Sequence, residues 1–200
     1  MSKTSKETLE AMEKLSLMAQ NKSFLGREFL TWLWFLAESD EAISLELAEG
    51  EVSLEVWVDD KVVMESSNTK AHVNTLRGGD PSQSFEANAG LQTGKFVKEM
   101  KVGLRIDEDQ EYKVLLNSQD LSPRSLVVPN EPQFQEGDED DSYDVLAFRL
   151  EKTSEFTQLF DSLFRKFLDE RIDESWENES LSEIRSWIKN RPHTEGFTVH

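Results

Sequence analysis

The sequence predicts an α+β fold: an antiparallel sheet of about five or six strands with helices packed on one face and a long C-terminal helix. Three observations carry this. Between Ile43 and Ser118 apolar residues tend to recur at every second position, the mark of half-buried strands. Short turns join those runs, which excludes parallel pairing because parallel strands need long crossovers. On either side of them apolar residues fall instead at three- and four-residue spacing, the period of helices that face a core.

Taken in order, the capping box Thr4-x-x-Glu7 opens an amphipathic helix over 4–21, with Leu9, Met12, Leu15 and either Met18 or Ala19 inward. A break at Asn21-Lys22-Ser23 sets this N-terminal helix (1–22) apart from a single domain over 23–200. Residues 24–39 form the most apolar segment, and nearly every position from Phe29 to Leu36 is apolar. A helix apolar all round is buried, so Phe29, Trp32 and Leu33 are expected against Val52, Val56 and Leu104. Then the period becomes two. Ile43, Leu45 and Leu47 alternate, and Val52, Leu54, Val56 and Val58 alternate with Ser53, Glu55 and Trp57. A helix is expected to cover Trp57. A tight turn at Asp59-Asp60 leads to another strand over 61–66, and 70–76 reads as a fourth with His72 in its middle, ended by the breaker 78–82. A short helix over 84–93 precedes strands at 96–106 and 111–118, divided by an acidic turn. The prolines and acids of 130–142 read as a surface loop. A long helix follows from Ser142 to Ile172, with Phe156, Leu159, Phe160, Leu163, Phe164, Phe167 and Leu168 on one stripe. A shorter one over 180–190 is stopped with the help of Pro192.

The chain has 200 residues and a formal charge of −18, from 40 acidic and 22 basic side chains. Such a surface repels nucleic acid and anionic membranes at long range, while a local basic patch can still act. The absence of cysteine removes disulfides, thiol nucleophiles and thiolate metal sites together. The N-terminus is too polar for a signal peptide, and the longest apolar run, Trp32 to Ala37, cannot cross a bilayer. A cytoplasmic protein is expected, assuming a bacterial or phage source.

The stretch Gly90-Leu91-Gln92-Thr93-Gly94-Lys95-Phe96 imitates a phosphate-binding loop and fails on three counts. The loop is one residue short, Phe96 stands where a hydroxyl should bind magnesium, and the order is helix then strand. Gly94 reads instead as a left-handed helix stop. No paired-histidine spacing exists, and His193 and His200 read as tail residues, so a metal centre and a Ser/His triad are both unsupported. Asp80 with Glu99-x-Lys101, or Glu111-x-Lys113, echoes metal-dependent nucleases, but such triplets arise by chance where 31% of residues are charged. The acids 136–141 lack the EF-hand spacing. The densest basic ladder is on the strand after the false phosphate loop, where Lys95, Lys101 and Arg105 share one face with Glu99 among them. Lys98 interrupts the other face, and Arg77 is nearby in sequence. The ladder suits phosphate-backbone contact. Its plainer reading is a solvated face paired with local acids.

Residues 24–38, then 52–65, then 86–129 together resemble the C-terminal half of the recombination-associated RdgC family, with the closest match at Gly94-Lys95-x-Val97. The long aromatic helix around 160–168 is similar to the family's closing helices. The resemblance implies a non-enzymatic protein without cofactor that forms a ring-like homodimer on duplex DNA, without sequence preference, and restrains recombinase loading. It carries over Lys95 alone; Lys98, Lys101, Arg105 and Arg77 come from strand geometry and proximity. Two departures stand against it. One helix replaces the family's N-terminal half, and the charge of −18 disfavours a basic channel.

Three functions follow in order. The first is a nucleoid-associated, RdgC-like protein of DNA recombination or repair, acting by duplex binding and self-assembly. The second is an acidic adaptor or inhibitor that binds a basic protein partner, whether through the loop at 131–144 or by mimicking DNA charge. The third is a metal-dependent nuclease.

Overall fold

The structure is a computed structural model that describes residues 23–39, 42–47, 50–66, 72–106, 110–130 and 139–192. The helix expected over 4–21, most of the acidic loop, His193 and His200 lie outside the described residues. In chain order the elements are α1 (Ser23–Ala37), β1 (Ile43–Leu47), β2 (Gly50–Glu65), β3 (Val73–Arg77), a 3₁₀ turn (Pro81–Gln83), α2 (Phe85–Gln92), β4 (Phe96–Arg105), β5 (Glu111–Asn117), β6 (Arg124–Val127), α3 (Glu139–Ile172) and α4 (Ser180–Asn190). The six strands form an antiparallel sheet in the order β1-β2-β4-β5-β6, with β3 also on β2. The long strand β2 carries β1 on its Gly50–Leu54 end and β3 on its Lys61–Glu65 end.

The expected α+β architecture is present, and its core forms where the apolar periods meet. Phe29, Leu30, Trp32, Leu33 and Trp34 of α1 are at most 1% exposed and belong to one cluster with Leu54, Val62, Met64, Met100, Val102 and Leu104 of the sheet. Val52 and Val56 are half-buried at its margin. The aromatic stripe of α3 meets α1. Phe29 lies 5.0 Å from Phe164 and 5.3 Å from Phe167 between ring centroids, and Trp32 lies 5.5 Å from Phe167. Each such side chain contributes about 1.5–3 kcal/mol by leaving water, so the α1–α3–sheet sandwich dominates stability. Helix α2 starts on the Ser84 hydroxyl, which accepts from the Ala87 N–H. It stops at Gly94, whose φ of +78° is the left-handed conformation expected of it.

Several expectations are corrected. There is no turn at Asp59-Asp60, because β2 runs through it. Val58 pairs with Val102 and Val62 with Met100, so residues 59–61 bulge opposite Lys101 alone. The described residues still form six strands because β6, not foreseen, replaces the one that the missing turn would have created. Lys98 interrupts its face for the same kind of reason. Met64 pairs with Val97 and Val63 with Glu99, which leaves Lys98 as the extra residue of a second bulge and turns Val97 fully inward. His72 precedes β3 and is exposed. Helix α3 begins at Glu139, so 139–142 belong to it and not to the loop.

The far end of the chain is tied back by Arg191, which is only 4% exposed. Its guanidinium donates to both oxygens of Glu38 (2.7 and 2.9 Å), to Asn88 Oδ1 and to the Ser82 carbonyl. It also sits between the rings of Trp34 and Trp187, 5.1 and 4.6 Å from their centres. Both indole N–H groups donate to the same Glu38 carboxylate. This is a fully partnered buried pair, the condition under which burying charge is tolerated.

Candidate functional site

Strand alternation puts Met100, Val102 and Leu104 under α1, so Glu99, Lys101, Gly103 and Arg105 point to the opposite face of the sheet. Register then decides their neighbours. Arg105 lies between Glu55 on β2 and Glu111 on β5, and Gly103 between Trp57 and Lys113. The cations are consequently matched one by one. Arg105 bridges Glu55 (3.1 Å) and Glu111 (3.2 Å), and Glu111 also takes Lys113 (3.1 Å). Lys101 reaches Asp59 (3.0 Å) and Asp60 (3.1 Å), the two acids that the bulge in β2 brings opposite it. Lys61 holds Glu99 at 2.8 Å, and Asn117 donates to the other oxygen of Glu99. Lys98 pairs with Glu65 at 3.2 Å.

The proton affinities follow these contacts. The Lys61 hydrogen bond holds Glu99 below the usual carboxylate range. Asp59 above all, and Asp60 with it, push Lys101 upward. Glu111 is lowered chiefly by Lys113, then by Arg105. Every one of these shifts favours the charged form, which fits a self-neutralising salt-bridge lattice.

Trp57 belongs to this face, and the expectation that a helix covers it is replaced by a simpler arrangement. Its ring occupies the space over Gly103, where an added Cβ would fall 2.0 Å from Trp57 Cε2. The Arg105 guanidinium lies 5.1 Å from the ring centre. Only glycine permits the indole to lie so close to the neighbouring strand.

The five basic residues singled out from the sequence therefore do not form one track. Lys101 and Arg105 share the outer face and are paired. Lys98 sits at the bulge and is paired. Lys95 precedes β4 and is half-buried, and Arg77 is exposed at the end of β3 opposite Lys61. Among the described residues, neither Lys95 nor Arg77 has a carboxylate within salt-bridge distance. Asp80 caps the 3₁₀ turn, accepting from Ser82 Oγ and the Gln83 N–H. Its nuclease-like partner Glu99 is engaged with Lys61. Among the described residues no group of three His, Cys, Asp or Glu side chains could hold a metal ion. The plainer reading of the ladder, a face paired with local acids, is the one present, and the register decides which carboxylates of neighbouring strands pair with which cations. Opposite charges on alternating positions of consecutive strands were the available signal.

No protein-family model matches the chain, and no curated protein matches its sequence. Neither comparison bears on the resemblance to the RdgC family. No described helix is long and apolar enough to cross a membrane.

Proposed function

We propose that this chain is a non-catalytic binding protein whose acidic surface captures a basic protein partner. The carrying observation is the pairing of Lys98, Lys101 and Arg105 with local carboxylates. Since those cations are already spent within the fold, the excess of 18 negative charges is what an approaching macromolecule meets. A field of that sign steers basic partners and repels phosphate backbones. The test is a pair of titrations at low ionic strength, one with polylysine and one with duplex DNA. Saturable polylysine binding that weakens as salt rises, without duplex binding, is expected. Duplex binding by folded protein overturns this reading.

A second reading keeps an RdgC-like role in recombination or repair, through sequence-independent duplex binding by a homodimer. Two observations favour it. Lys95, the residue carried over by the resemblance, and Arg77 at the end of β3 have no carboxylate partner among the described residues. In addition, α3 exposes Tyr143, Leu146 and Leu150 at helical spacing, a stripe suited to a second copy. This reading expects weak duplex binding with a shallow salt slope, lost in Lys95→Glu/Arg77→Glu, and a dimer by sedimentation.

A further inference from the structure

We infer that the cleft between α1 and α4 binds a small carboxylic acid with an apolar body, a site independent of the outer sheet face. The cleft, of about 240 Å³, is walled by Arg27 and Thr31 of α1, Phe96 of β4, Trp176, and Ile184 and Ile188 of α4. Its volume falls below the roughly 300 Å³ at which pockets for drug-sized ligands begin, so the occupant is small. Its floor is apolar, so the part of the occupant that fills it carries no polar group.

The polar groups are what make it a site. Trp176 is 3% exposed, and its indole N–H is buried with no acceptor among the described residues. Arg27 sits over Phe96, its guanidinium carbon 3.4 Å from the ring centre, and its Nε is likewise buried with no acceptor among the described residues. Buried donors are almost always matched, and both belong to residues that wall the cleft, so a small side-chain movement on ligand entry would give each an acceptor. That acceptor is anionic. In a chain with 40 acidic side chains, Arg27 and the exposed Arg185 on the rim have no carboxylate within salt-bridge distance among the described residues. The one carboxylate lining the cleft, Glu28, is committed to Arg171 at 2.7 Å. A carboxylate takes charge-assisted hydrogen bonds from a guanidinium and a second donor together, and an aryl or branched alkyl tail fills the floor against Phe96, Ile184 and Ile188.

The experiment is a ¹H–¹⁵N titration of the full chain with 3-phenylpropanoate, beside 3-phenylpropanamide and acetate. The Trp176 indole signal, assigned by its loss in Trp176→Phe, and the Arg27 Nε–H signal are expected to shift saturably with phenylpropanoate. The amide, which lacks the charge, should bind at least about tenfold more weakly, and acetate should not saturate. Arg27→Gln should weaken binding by at least about tenfold. Arg185→Gln, at an exposed position that does not endanger the fold, should weaken it several-fold. No saturable shift, equal binding of acid and amide, or unchanged binding in Arg185→Gln overturns the proposal. A peptide ending in phenylalanine that binds far more tightly than phenylpropanoate also overturns it, in favour of a protein C-terminus.

Discussion

Arg191 shows how far a single residue's role depends on distant partners. Its guanidinium satisfies Glu38, Asn88 and Ser82 at once, and removing one member of a buried pair strands the other charge. Arg191→Met is expected to cost about 3–5 kcal/mol in urea unfolding, and Glu38→Gln a comparable amount. The double variant should cost much less than the sum, and additive losses would show that the two do not act as a pair. Glu99 offers a second test, through pH. Its folded-state pKa is depressed by Lys61, so its contribution is present above the ordinary value of 4.5 and fades as pH falls through the lowered one. Glu99→Gln should therefore flatten part of the acid-side fall in melting temperature, by less than about 1 kcal/mol because the pair is partly solvated. Gly94 could be read from sequence because its helix stop is local. Arg191 could not, since its carboxylate partner is 153 positions away.

At the scale of elements, the sequence patterns located the four α-helices and five of the six strands among the described residues, because burial of one face imposes its period on the residues themselves. They failed at the bulges. Asp59-Asp60 looks like a turn, and its pairing with Lys101 keeps the strand continuous instead. Strand β6, only four residues long, has too little alternation to announce itself. The contact between Trp57 and Gly103 tests the register directly. Gly103→Ala pushes a methyl group into the indole and should destabilise by about 1–3 kcal/mol. In a Trp57→Ala background the same change should be nearly neutral. An equal cost in both backgrounds would place the ring elsewhere. Burial of Trp32 gives the matching test for α1: Trp32→Ala should cost about 3–5 kcal/mol in chemical unfolding, since it removes ring contacts and the indole hydrogen bond to Glu170.

For the whole molecule, net charge sets the balance. Salt weakens the ladder's ion pairs and also screens the mutual repulsion of 18 unbalanced negative charges. The second effect should win, because the pairs are mostly solvated and worth little. Raising ionic strength from about 0.01 to 0.15 M shortens the screening length from about 30 to 8 Å. The melting temperature is expected to rise by about a few degrees, and a fall would mean that the ladder carries more stability than its exposure implies. Function was far less legible than fold at this scale. Fold is written in repeated patterns, whereas the cleft beside Trp176 joins α1, β4 and α4 through residues that are individually unremarkable in sequence.

The tie between Arg191 and Glu38 also has a consequence for how the chain is made. At roughly 5–20 residues per second of synthesis, Glu38 leaves the ribosome about 8–30 s before Arg191, which lies 153 positions later. The aromatic face of α3 that covers Phe29 is also made late, with Glu170 emerging 138 residues after Trp32. Through that interval the side of α1 that faces α3 stays uncovered, so the hazard of aggregation is concentrated in the nascent chain and not in the finished one.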